Sequence, residues 1–367
     1  MSIRIAVIGG GTFGHNHLLA YRQLERAGRV VLAGLADTNR DLLRQRKEDF
    51  GIPVFEDFRR LLDEVETDAI SIATPDHLHR EIAREALGRG KHTLVEKPLD
   101  LTEAGCRELI ELAERNRLLL QVDFHKRFDP DHRAMAGAVR RGALGDILYG
   151  HALMEDRIEV PTRWFPGWAA RSSPTWFLGI HFFDLVNWML DDRPARVFAT
   201  GQRGRLPGMK EDTWNAIQTH VTYRRGAAVT FQCSWVLPGE YEAIVNQGVR
   251  LVGSHGCWEV DSKDRGSTSC LAGEGHRAHN HHFLREKTCK FGQTLIEGYG
   301  IESLADFVGN LEHLARGHLP AELEGTYPSG RDAMEATRVG AASHESLESG
   351  LPVDLLPPSE QDGNSHN

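Results

Sequence analysis

The sequence predicts an α/β protein in two parts. A doubly wound parallel sheet comes first, followed by an α+β region with a large, mainly antiparallel open sheet. Three observations carry this. Short apolar runs alternate with helical patterns from Ile3 to Val122, the mark of parallel strands joined by right-handed crossovers. A glycine-rich turn, Gly9-Gly10-Gly11-Thr12-Phe13-Gly14, separates the first strand pattern from the first helical one. From Phe124 onward, strand-like runs recur with few long helices between them, which suits an antiparallel sheet.

The bulk properties set outer limits. A chain of 367 residues is long for one domain, and two are expected, at 1–124 and 125–356. A net charge of -9 argues against nucleic acid or an anionic membrane as the main partner. The five cysteines, Cys106, Cys233, Cys257, Cys270 and Cys289, are odd in number and contain no CxxC pair. That fits a reducing compartment, not a disulfide framework or a zinc site. A strand pattern already begins at Ile3, leaving no room for a signal peptide, and no apolar run reaches membrane-spanning length. A cytoplasmic location is the expectation.

In the first part, Ile3 to Ile8 reads as a buried parallel strand feeding Gly9-x-Gly11-x-x-Gly14, and the helix after it carries Leu18, Leu19, Tyr21 and Leu24. In that context Gly9 allows the tight turn, Gly11 lets the backbone approach a pyrophosphate, and Gly14 lets helix pack on strand. Thr12 and Phe13 complete the turn, and the helix start offers free N–H groups to phosphate. A second strand, Val30 to Ala36, ends in Asp37, where a carboxylate can bond adenine-ribose hydroxyls. Together these make a Rossmann dinucleotide site. Asp37 favours NAD by repelling a 2′-phosphate, and nearby Arg40 leaves NADP possible. Further strands at 69–73, 92–95 and 118–122 alternate with helices through Leu62, Leu87 and Leu112.

The strand at 92–95 runs into Glu96-Lys97-Pro98. A residue before proline is driven out of helical geometry, which places Lys97 at the C-terminal edge of the sheet, where ligands bind. A partly desolvated lysine there can titrate near neutral pH.

In the second part, strand-like runs fall at 147–154, 195–200, 217–223, 227–235 and 243–252. An open sheet face of this size makes a homo-oligomer, dimer or tetramer, the expected state. One helix pattern, Thr175 to Leu190, is apolar nearly all round and puts Phe177, His181, Asp184 and Trp188 on one face. A buried His–Asp pair there needs partners or a ligand. Before it, Arg163 and Trp164 lie in a Pro/Gly-broken loop that could wall a sugar site. His276, His279, His281 and His282 lack thiols and ordered spacing, and read as a mobile polar loop with no metal centre. The tail 357–367 reads as disordered.

Gly9-x-Gly11-x-x-Gly14, Asp37, Ala73-Thr74-Pro75 with His79, Glu96-Lys97-Pro98 and Gly179-x-His181-x-x-Asp184, in this order, resemble the Gfo/Idh/MocA oxidoreductases. The resemblance runs over nearly the whole chain, through a closing helix at 333–349 and Leu351-Pro352-Val353-Asp354. It implies reversible hydride transfer between NAD(P) and a ring carbinol of a sugar, cyclitol or sugar derivative. It adds Thr74, Pro75, His79, Glu96 and Lys97 to the cofactor-binding residues. It makes Lys97 and His181 catalytic and in contact with the substrate, and His125, Arg163 and Trp164 are the further substrate-binding candidates of the sequence. The sequence departs from the family at Phe177, where dehydrogenases with a Lys–Asp–His set carry aspartate, so either the His181 relay works without that carboxylate or Asp123 or His125 supplies a replacement. Some relatives oxidise a glycoside transiently and eliminate its aglycone, a lyase- or glycosidase-like outcome, and a dinucleotide-sensing regulator is a further alternative.

Overall fold

A computed structural model describes residues 2–356 except 166, 210, 211, 289, 291 and 293. The tail at 357–367, expected to be disordered, lies outside the described residues. The chain forms two compact units, Met1–Asp129 with His282–Met334, and Pro130–His281 with Glu335–Asn367. Residues 282–334 therefore return to the first unit, across the boundary that the change of pattern near Phe124 suggests. Among the described residues, no helix is long and apolar enough to cross a membrane.

The first unit holds a six-stranded parallel sheet. Along the chain come β1 (Ile3–Ile8), α1 (Thr12–Arg26), β2 (Val30–Ala36), α2 (Arg40–Phe50), β3 (Val54–Phe55), α3 (Phe58–Glu64), β4 (Ala69–Ile72), α4 (His79–Gly88), β5 (His92–Val95), α5 (Glu103–Arg115) and β6 (Leu120–Val122). The spatial order is β3-β2-β1-β4-β5-β6, so the order reverses beside β1, where α1 begins. The strands read as continuous apolar runs because both faces are covered. Ile5, Val7, Leu35, Ile70 and Leu94 have no exposed surface.

The returning segment adds a hairpin, Arg285–Thr288 with Thr294–Glu297, and a helix, Tyr299–Ala315. That helix buries Leu304, Phe307, Val308 and Leu311 in the same core as Ile5, Leu18 and Tyr21.

The second unit is a mixed seven-stranded sheet. Its elements are α6 (Pro130–Arg140), β7 (Ile147–Arg157), α7 (Ile180–Leu190), β8 (Pro194–Gln202), β9 (Ala216–Tyr223), β10 (Ala228–Leu237), β11 (Val245–Gly253), β12 (Cys257–Asp261), a closing helix Gly330–Ser349 shared with the first unit, and β13 (Val353–Asp354). All pairings are antiparallel except β10 with β7. The sheet is thus mainly antiparallel, as the alternating pattern predicts.

The histidine-rich stretch differs from the expected loop. Residues Thr268–Leu271 and Gly275–Ala278 pair as a hairpin. His276 Nδ1 lies 3.0 Å from Glu242, and His279 Nε2 lies 2.9 Å from Ser269 Oγ. Cross-strand pairing and these polar partners order what composition alone presents as a loop.

Candidate active site

In the first unit, the glycine turn meets the steric demands of its motif. Gly9 has φ +97° and a Cβ there would lie 2.4 Å from Ala73 O, while a Cβ on Gly14 would lie 1.9 Å from Gly9 O. A Cβ on Gly11 would meet nothing within 4 Å. Gly9 and Gly14 are therefore required by the fold, and Gly11 faces open space.

The helix starts show the same division. Asn39, Asp57 and Thr102 cap α2, α3 and α5 with their side chains, but Gly11 gives α1 no side-chain cap and its first turn holds no acidic residue. Backbone N–H groups left in this state suit an anionic ligand. Asp37 accepts from Gly10 N–H at 2.7 Å and from Asn39 N–H at 2.8 Å, which fixes its carboxylate at the turn. Thr74 Oγ1, at the end of β4, is buried without a hydrogen-bond partner. Arg40 is bonded to Glu56 at 2.9 Å.

The lysine turn lies along the same sheet edge. Glu96 and Lys97 are 6% and 7% exposed, and the Lys97–Pro98 peptide bond is cis. His79, fully buried, places its ring nitrogens 2.6 Å from Pro98 O and 2.8 Å from Thr74 O. It ties the β4 exit to the lysine turn. Glu96 likewise turns inward, to His17 on α1: His17 Nε2 lies 3.3 Å from Glu96 Oε1 and 3.6 Å from Asp123 Oδ2. His17 Nδ1 reaches Ser71 Oγ at 2.8 Å, and Tyr21 donates to the same hydroxyl at 3.0 Å. Ser303, from the returning helix, donates to Asp123.

The electrostatics follow from burial and partners. Burial alone would favour the neutral His17 ring, but its bonds to Asp123 and Glu96 overcome this and raise its pKa to about 9. Burial and the Asp123 charge push the Glu96 carboxyl above the usual range. Asp123 is buried too, yet its bond from His17, with His125 and Ser303 close by, holds it low. His125 lies beside Phe283 and stacks on Tyr299, ring centroids 5.4 and 5.9 Å away. Burial, together with the charges of Lys126 and Lys97, presses its pKa down to about 3. It is neutral near pH 7, and Asp123 is committed to His17 and Ser303.

In the second unit, the segment before α7 forms a π-turn over Thr175–Gly179 in place of a regular α-helical start. His181 and Asp184 are buried on α7, at 4% and 1% exposure. Phe177 packs against Phe165, Trp168 and Trp235, with ring centroids 5.8, 5.1 and 6.0 Å away. The position that would hold a carboxylate is thus part of an aromatic cluster. Arg163 and Trp164 are exposed on a further π-turn, Val160–Trp164.

Comparison with known proteins accounts for this pattern. A family model described as an oxidoreductase family with an NAD-binding Rossmann fold (GFO_IDH_MocA) matches residues 3–124, and the GFO/IDH/MocA C-terminal domain model matches 132–259. The chain belongs to this family.

Among curated members, inositol 2-dehydrogenase 1 of Saccharopolyspora erythraea is 29% identical over 54% of this chain and 57% of its own length. For the first relatives matched, then, the chain spans under two thirds of their length. Myo-inositol 2-dehydrogenase of Thermotoga maritima is 25% identical over 96% of this chain and 98% of its own. The crystal structure of myo-inositol 2-dehydrogenase from Lactobacillus plantarum superposes with a TM-score of 0.79 at 19% identity, covering 97% of this chain and all of that one, which establishes a shared fold.

The NAD assigned by the family fits the residues present. The uncapped helix start, the open face of Gly11, the fixed Asp37 carboxylate and the unpartnered Thr74 hydroxyl are each what a dinucleotide needs.

Two groups of residues near this site carry no motif. His17 falls inside a helical pattern and reads as core, and Phe283, Tyr299 and Ser303 arrive from far along the chain.

Proposed function

We propose that this family member is an NAD-dependent dehydrogenase acting on a ring carbinol of a sugar, cyclitol or sugar derivative, with Lys97 and His181 as its catalytic residues. The reading rests chiefly on Lys97, an amine held 7% exposed at the ligand-binding edge of an NAD-binding sheet. When bound, NAD supplies a nicotinamide carbon that exchanges hydride with the carbinol carbon. Lys97 donates a hydrogen bond to the carbinol oxygen and stabilises the charge that develops there. His181 accepts the hydroxyl proton, a task suited to an imidazole. The glycine turn, Asp37 and Thr74 bind and orient the dinucleotide, and His79 holds the lysine turn in register with Thr74.

Inositol-like cyclitols lead the substrate classes because relatives over nearly the whole length carry that name. Arg163, Trp164 and the aromatic cluster around Phe177 belong to the substrate side in this reading. A homo-oligomer through the outward face of the second sheet belongs to it as well, where Tyr149 and Phe198 are 56% and 38% exposed.

The test is nicotinamide absorbance on the purified protein with NAD, and separately NADP, against inositols, free aldoses, glycosides and nucleotide sugars. NADH formed with one substrate class supports the dehydrogenase. Aglycone released from a glycoside without net NADH moves the assignment to oxidation and elimination. NAD binding with no turnover of any class leaves a dinucleotide-sensing protein.

A further inference from the structure

We propose that His17 is a positioning residue that acts as a buried cation set between Glu96 and Asp123, so that both carboxylates stay ionised beneath the Lys97 turn. The inference rests on the proposed role of Lys97, and it stands on geometry that no motif assigns.

Glu96 lies just past the end of β5 and Asp123 just past the end of the neighbouring β6, joined by Asp123 N–H donating to Val95 O at 2.8 Å. Two carboxylates fixed side by side, at 6% and 2% exposure, cannot both ionise without a cation, and such a pair ordinarily keeps one proton between them. His17 Nε2 faces both, at 3.3 and 3.6 Å, and its ring is 2% exposed. The other groups around the ring are the Ser71 and Tyr21 hydroxyls, and those facing the carboxylates are Ser303, His125 and Lys97. Burial keeps His125 neutral, and the Lys97 charge acts on Glu96 more weakly than His17 does. That leaves His17 as the cation seated against both carboxylates.

The consequence reaches both halves of the proposed chemistry. His17 sits on α1, whose first turn binds phosphate in the proposed function, and its three polar partners sit on β4 and just past the ends of β5 and β6. A protonated ring donates from Nδ1 to Ser71 and from Nε2 toward the carboxylates, which locks the helix to three strand ends. The triad then carries one net negative charge beneath Lys97 for as long as the ring stays protonated.

Removing the cation changes the titration as well as the packing. In His17→Asn the carboxylate pair takes up a proton, and that proton leaves near neutral pH, beside the catalytic lysine. The experiment compares the pH dependence of kcat and kcat/KM for the full-length protein, His17→Asn, His17→Gln and the double variant His17→Asn with Asp123→Asn. NAD affinity is measured in parallel.

The proposal expects a new ionisation in kcat/KM of the single variants, a loss of about tenfold or more in kcat, and NAD affinity changed less than the rate. It expects the new ionisation to vanish in the double variant, where one carboxylate remains. Single variants that fold and keep the wild-type pH profile would overturn it.

Histidine NMR of the wild-type protein decides the point without any turnover. A His17 ring still protonated well above pH 7 supports the proposal, and a ring that is neutral at pH 7 overturns it. If no substrate is found but the ring is charged, the dehydrogenase reading fails and the buried cation stands.

Discussion

Single residues at the glycine turn separate two kinds of requirement. Gly14→Ala places a methyl 1.9 Å from Gly9 O, a backbone atom that cannot move aside, and should cost about 1–3 kcal/mol or more of stability along with NAD binding. Gly11→Ala meets nothing within 4 Å and should leave the thermal midpoint nearly unchanged while weakening NAD binding, because the added methyl enters the ligand's approach. Thermal melts and NAD titrations of the two variants check this, and equal effects on both quantities would contradict it.

The two buried histidines set the pH dependence of stability. With a folded pKa of about 9, His17 contributes stability that is complete below its unfolded pKa of about 6.5 and is lost as pH rises through 9. At about 1.4 kcal/mol per tenfold change in proton affinity, its share is on the order of 3 kcal/mol. His125, pressed to about 3, works the other way. Its contribution is complete above about pH 6.5 and fades as pH falls toward 3, joined there by Asp123 and Asp332, both held low in the fold. Stability should peak near pH 6.5, and His17→Asn should flatten the alkaline limb. Melting curves across pH measure it, and a variant with an unchanged alkaline limb would refute the assignment.

At the scale of elements, the closing helix is fixed by a contact that propensity opposes. Alanine in place of a mid-helix glycine is ordinarily worth up to about 1 kcal/mol. At Gly340, however, a Cβ would lie 2.5 Å from the Trp176 ring, itself stacked on His344 with centroids 5.7 Å apart. Overpacking costs about 1–3 kcal/mol, so Gly340→Ala should lower the thermal midpoint in spite of its better propensity. A raised midpoint would show that the ring yields.

Elements are also where the limits of sequence reading lie. Five of the six parallel strands were legible because each is an apolar run closed by glycine, proline or a polar cap, whereas the two-residue β3 is too short to leave a pattern, and the glycine turn and Glu96-Lys97-Pro98 were legible because their chemistry is local. The helix Tyr299–Ala315 and the hairpins after β12 were not. The hairpin strands Thr268–Leu271, Gly275–Ala278 and Arg285–Thr288 bury little apolar surface and leave no period-two signal. The π-turn at Thr175–Gly179 was hidden for a different reason, since an apolar stretch of that composition fits either helix. Within the candidate site, the motif residues could be named from sequence. The stacking of His125 on Tyr299 and the bond from Ser303 to Asp123 bring in residues too far along the chain for spacing to reveal, and the bonds of His17 to Ser71, Glu96 and Asp123 join four separate elements.

At the scale of the whole molecule, the family assignment makes the first unit the NAD-binding Rossmann part, and the proposal adds a carbinol dehydrogenase chemistry centred on Lys97. The measurement that bears on this most directly is NADH formation by the full chain with an inositol or sugar, wild type beside Lys97→Ala, with NAD affinity measured on both. The account predicts NADH in step with ketone for the wild type, and a rate at least about a hundredfold lower in the variant, with NAD affinity nearly unchanged. A variant that turns over at the wild-type rate would contradict it.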